Sequence, residues 1–150
     1  MKKIIILIAS GMLLLSSGAR AEEIYLNCKF VRGDFKLLEP YFSSENMNKN
    51  SEYANDIAIS LDLKNKKILY LTDAYFNNNS TKYLQSRIRI IDWYEKNITF
   101  IYSRGDNMNY IYNLDRLSGN LKRTIDQISE SKKKIKVSSY SECSKQNKKI

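Results

Sequence analysis

The chain has 150 residues, with 25 Lys or Arg against 16 Asp or Glu, a formal net charge of +9, and no histidine. That length suits one domain with a single core. The missing histidine excludes Ser-His-Asp and Cys-His nucleophile systems, and with only two cysteines it excludes the usual zinc ligand sets.

Lys, Asn and Ile together supply 51 residues, and Lys outnumbers Arg 18 to 7. All three have AT-rich codons, so the Lys count reads as genomic base bias and says little about partners by itself. Residues 1–21 read as a secretory signal peptide. Lys2 and Lys3 start it, Ile4 to Leu15 is an apolar core, and Ala19-Arg20-Ala21 is a small-x-small cleavage site. The core is about twelve residues, short of the roughly 20 needed to span a bilayer. Cleavage after Ala21 leaves Glu22 to Ile150, a single β-rich domain of 129 residues with 22 basic and 16 acidic groups. No second apolar run of spanning length follows, so no stable membrane insertion is expected after cleavage. The expected location is periplasmic or secreted.

Cys28 and Cys143 both survive cleavage and are the only cysteines. In an oxidising compartment such a pair is most simply one disulfide joining the two ends of the domain. Closing so long a loop is worth roughly 4–5 kcal/mol in the chain-entropy model.

The first strand is expected over Ile24 to Val31, ending at Arg32-Gly33-Asp34. Asp34 to Phe42 is mixed, and the polar run Ser43 to Asn55 reads as an exposed loop. Ile57, Ile59, Leu61 and Leu63 alternate with smaller or polar residues, the clearest half-buried strand in the chain. A turn at Lys64 to Lys67 leads into a partner strand from Ile68 to Thr72. Tyr83 to Tyr94 has both helical spacing at Leu84, Ile88 and Ile91 and a β-branched run at Ile88 to Ile91; a strand over Gln85 to Asp92 is favoured. Strands follow at Ile98 to Tyr102, Tyr110 to Leu114, Leu121 to Ile125 and Lys134 to Tyr140. Tight turns at Glu95 to Asn97, Arg104 to Asn107 and Ser118 to Asn120 separate them. Residues 144–150 form a basic, frayed tail. The fold class is therefore all-β and mainly antiparallel, an eight-stranded meander forming a curved sheet, a sandwich or a small barrel, closed by one disulfide.

Four stretches carry a resemblance: Leu26-Asn27-Cys28, Ile59-Ser60-Leu61-Asp62-Leu63, Leu114-Asp115-Arg116-Leu117-Ser118-Gly119-Asn120-Leu121, and Glu142-Cys143. Their order is similar to that in small Sec-exported proteins of Proteobacteria. Asn113-Leu114-Asp115-Arg116 departs from the simpler family pattern by placing Leu between the polar residues. The resemblance implies a β-rich fold and one disulfide and brings no activity with it. In composition the chain also resembles Sec-dependent effectors of AT-rich, host-associated bacteria.

Three functional readings follow. Tyr is abundant, and an apolar body with one polar handle suits interfaces. The first reading is thus a non-enzymatic binding or inhibitor module acting on a protein partner, a secreted effector on a host target being one form of it. Tyr83, Tyr94 and the neighbouring Trp93 are its aromatic candidates. The second is an envelope protein that binds an anionic polymer or lipopolysaccharide through Lys132, Lys133, Lys134 and Lys136. Export argues against nucleic acid. The third is a hydrolase using the carboxylates of Asp92 and Glu95, which flank Trp93-Tyr94. No Gly-rich phosphate loop is present, and no metal or cofactor is expected.

Overall fold

The computed structural model describes residues 23–34, 54–75, 81–105, 107–128 and 134–147. The signal-like segment, most of the Ser43 to Asn55 loop, and Lys132 and Lys133 lie outside the described residues. Eight strands form the body: β1 (Glu23–Asp34), β2 (Ile57–Asp62), β3 (Lys67–Leu71), β4 (Ile88–Trp93), β5 (Asn97–Gly105), β6 (Met108–Asp115), β7 (Asn120–Ile128) and β8 (Lys134–Gln146). Two short helices, α1 (Thr72–Tyr75) and α2 (Thr81–Arg87), connect β3 to β4. Among the described residues no helix is long and apolar enough to cross a membrane.

All pairings are antiparallel, in the order β3-β2-β1-β8-β7-β6-β5-β4. The first and last strands are thus neighbours in mid-sheet, and the two edges, β3 and β4, are joined in sequence by the helices. The sheet curls into a nearly closed barrel. At the open seam the Gln85 side-chain amide on α2 donates to the Ile68 carbonyl on the edge of β3. That satisfies an acceptor which a sheet edge would otherwise leave bare.

Period-two alternation selects the inner face. Ile57, Ile59 and Leu61 of β2 are buried, as are Ile98, Phe100 and Tyr102 of β5, and Tyr110, Tyr112 and Leu114 of β6. Leu121 and Ile125 of β7 and Val137 of β8 join them in one core. Phe100 and Tyr112 stack with ring centroids 4.6 Å apart. The barrel interior is therefore a packed core.

The disulfide between Cys28 and Cys143 is present and joins residues directly paired across β1 and β8. It clamps the pairing of the first and last strands, and it fits an oxidising environment.

Most strands run one to three residues beyond the sequence reading at one or both ends, and four departures change its meaning. The strand expected over Gln85 to Asp92 begins only at Ile88, because Thr81 to Arg87 forms α2. Lys82, Leu84, Gln85 and Arg87 are good helix formers, and the β-branched run starts at Ile88. The helix also puts Leu84 into the core. Thr72 opens α1 instead of closing β3; its hydroxyl accepts from the Ala58 amide at 2.8 Å. Arg32 to Asp34 is not a turn: β1 passes an irregularity between Phe30 and Arg32 and keeps pairing with β8. Ser144 to Gln146, expected in a frayed tail, extend β8 and pair with Tyr25 to Asn27.

Candidate functional site

One cluster of charged and polar side chains lies inside the barrel and another on its outer face. Inside, Arg123 takes the inward position between Leu121 and Ile125 and is 1% exposed. Its Nη1 lies 2.9 and 3.0 Å from the two carboxylate oxygens of Asp73, which α1 carries into the barrel. Nη1 also donates to Asn55 Oδ1 at 3.0 Å, and Nε donates to Ser139 Oγ at 3.3 Å. The Tyr112 hydroxyl donates to Asp73 Oδ2. Burial pushes the Tyr112 phenol well above its ordinary value, and the Asp73 carboxylate adds to the shift. Burial is the largest influence on Arg123 and works against its charge, but the Asp73 carboxylate and the Tyr112 and Tyr110 phenols together outweigh it and raise the guanidinium pKa. Both groups thus keep their protons at any physiological pH, and the cluster ties α1 to β6, β7 and β8. Its chemistry is that of a satisfied buried ion pair.

Outside, the register aligns one polar row across six strands. Arg32 faces Tyr140, Tyr140 faces Lys122, Lys122 faces Asn113, Asn113 faces Thr99, and Thr99 faces Asp92. The Arg32 guanidinium carbon lies 4.1 Å from the Tyr140 ring centroid and Lys122 Nζ lies 5.7 Å from it. Thr99 Oγ1 donates to Asn113 Oδ1 at 3.1 Å. A groove of about 430 Å³ runs beside this ring; Val31, Arg32, Lys122 and Tyr140 line it, together with Asn113 and Asn120. Asp115 and Glu142 add carboxylates to the same groove. Asp115 Oδ1 accepts from the Leu117 and Ser118 amides, at 2.9 and 3.2 Å. The Ser118 backbone N–H leads in holding the Asp115 carboxyl below its ordinary value. The groove is mixed in charge, centred on an aromatic ring, and built on paired strands.

The residues singled out from sequence do not form one patch. Lys134 and Lys136 lie at the start of β8, beside the ends of β7. Trp93 and Tyr94 lie at the other end of the barrel, where β4 turns into β5. Tyr83 is on α2 at the seam, with the Arg87 guanidinium carbon 5.5 Å from its ring centroid. Lys134 Nζ is 3.5 Å from Asp126 Oδ2, so part of its field is already compensated. Trp93 packs partly against the core, whereas Tyr94 is 65% exposed. Asp92 stands in the outer row and Glu95 in the exposed turn beyond it. Arg32, Lys122 and Tyr140 escaped sequence reading because their meeting depends on the β1/β8/β7 register. The inward Arg123 did leave a signal, a charged residue at a core position of the Leu121 to Ile125 alternation.

Neither protein-family models, nor the curated proteins, nor the solved structures include a match to this chain.

Proposed function

We propose that this chain is an exported, non-enzymatic module that binds or inhibits a protein partner through the outer face of β1, β8, β7 and β6. The observation that carries this reading is the Tyr140 ring held between Arg32 and Lys122 beside an open groove. Tyrosine and arginine are among the side chains that most often dominate interface energies, tyrosine because it buries much area at small entropic cost and arginine because its planar fork makes paired hydrogen bonds and stacks on rings. Here both sit on rigid strands, so little ordering cost remains to be met on binding. The mixture of Arg32 and Lys122 with Asp115 and Glu142 suits a protein surface better than a uniformly anionic polymer. The signal-type N-terminal sequence and the disulfide support a periplasmic or released location.

The test is affinity capture with the oxidised domain from the producing cell's envelope and from host-cell extract. Tyr140→Ala and Arg32→Ala should each weaken capture of the same partner at least tenfold, about 1.4 kcal/mol or more. Tyr94→Ala should leave it unchanged. Capture that survives both changes and fails with Tyr94→Ala would place the interface on the β4–β5 turn instead of the Tyr140 ring and refute this reading.

A further inference from the structure

A second groove, of about 480 Å³, lies on the outer face of β4, β5 and β6 and shares no lining residue with the Tyr140 groove. Arg87, the last residue of α2, and Arg89, the second of β4, both line it. Ser103 and Asn109, paired across β5 and β6, form its polar wall, and Ile101, paired with Arg89, lines it as well. No carboxylate lines this groove. Among the described residues neither arginine forms an ion pair, and the Arg87 guanidinium lies over the Tyr83 ring. Ser103 Oγ donates to Asn109 Oδ1 at 2.8 Å, which leaves the Asn109 amide nitrogen as a donor.

We propose that this groove is a binding site for a phosphate monoester group. Two guanidinium forks and one amide present donors only. A carboxylate has two oxygens and one charge, enough to saturate one fork. A phosphate monoester has three terminal oxygens and nearly two negative charges, which match two arginines and the amide. Arginine in place of lysine matters in a chain where lysine prevails, because the planar fork binds such oxygens in pairs. The Tyr83 ring lies against Arg87, and the β4/β5 pairing sets Arg89 beside Ile101 on the groove wall. The ligand chemistry is the same whether the group is carried on a lipid or on a soluble molecule.

The experiment is an NMR titration of the oxidised, nitrogen-15-labelled domain with inorganic phosphate, against sodium chloride at matched ionic strength. The Nε–H signals of Arg87 and Arg89 and the Asn109 side-chain amide should shift and saturate with phosphate only. Arg87→Gln and Arg89→Gln should each weaken binding at least fivefold, and together should remove saturation. Arg89→Lys, which keeps the charge and loses the fork, should fall between. Lys136→Gln should change nothing. A parallel flotation assay uses phosphatidylcholine vesicles with and without phosphatidic acid. Flotation that requires phosphatidic acid, is reversed by phosphate and is lost in the double variant assigns a lipid-borne group. Saturable phosphate binding without flotation assigns a soluble one. Shifts that never saturate, that spread equally over Lys122, Lys134 and Lys136, or that persist in the double variant would overturn the proposal.

Discussion

Arg123 is charged and enclosed by the barrel, so its effect on stability is set by what its removal leaves behind. Arg123→Leu would leave the Asp73 carboxylate among β6, β7 and β8 with, among the described residues, only the Tyr112 hydroxyl and the Asn55 amide as donors. Breaking a buried pair from one side costs roughly 3–5 kcal/mol. Urea unfolding of Arg123→Leu should show a loss of that order, and Asp73→Asn in the same background should recover part of it. No loss in the single variant, or no recovery in the double, would contradict the ion-pair account. Ser60 is a second case. The alternation in β2 assigns it to the solvent side, where Ser60→Asp would be mild. Yet Ser60 is 2% exposed. It pairs with Tyr25 on β1 and Tyr70 on β3, whose ring centroids are 6.3 Å apart, and its hydroxyl donates to Glu23 Oε1 at 2.7 Å. An aspartate there would place a second carboxylate in a 2% exposed position, within reach of Glu23. Ser60→Asp should therefore lower the urea midpoint as clearly as Leu61→Asp does; a midpoint equal to wild type would refute the tyrosine cover. Local periodicity shows which side of a strand a residue takes. It does not show what neighbouring strands lay over that side.

The hairpin between β6 and β7 shows a tighter constraint at the scale of elements. Gly119 has φ +74°, its amide donates to the Asp115 carbonyl at 2.9 Å, and its carbonyl accepts from the Cys143 amide at 2.8 Å. A Cβ at this position would sit 2.8 Å from the Cys143 carbonyl oxygen. Gly119→Ala should cost more than about 1 kcal/mol, from strained backbone and from separating the turn from β8. An unchanged midpoint would show that the turn is not docked on the disulfide strand. The Ser118-Gly119-Asn120 turn was readable from residue types alone, as were the strands around it, since each turn here has its own polar or glycine punctuation. α2 was not readable in the same way. Its Leu84 and Ile88 spacing competes with the β-branched run that follows, and the deciding contact, Gln85 to the Ile68 carbonyl, spans 17 residues. The candidate site was hidden for the same reason: Arg32, Lys122 and Tyr140 are far apart in sequence and meet only through strand order.

For the whole molecule, the β1/β8 seam holds the first and last strands together, and Cys28–Cys143 crosses it. Cys28→Ser should lower unfolding free energy by about 2–5 kcal/mol, the usual range for losing a native disulfide. Two titratable thiols in the native, unreduced protein would contradict the covalent seam. Acid should act through carboxylates held below their ordinary value. The Asn65 side chain leads in lowering Asp62, and Asp115 is lowered by the turn amides. A depressed folded pKa means that the unfolded chain binds protons first as pH falls. The stability these groups add is complete above the ordinary aspartate range, near pH 4, and is lost as pH drops through their folded values. Stability measured between pH 6 and pH 2 should therefore fall less steeply in the Asp62→Asn, Asp115→Asn double variant than in wild type; an equal fall would remove these groups from the account. The central claim is that the molecule works through the Tyr140 face. Its most direct test is a photoreactive phenylalanine analogue at position 140, compared with the same analogue at Ile128, which is 47% exposed at the far end of β7. Illumination in the producing culture and in host extract should give a discrete protein adduct from position 140 and none from position 128. Adducts that are identical from both positions, or absent from position 140, would contradict it.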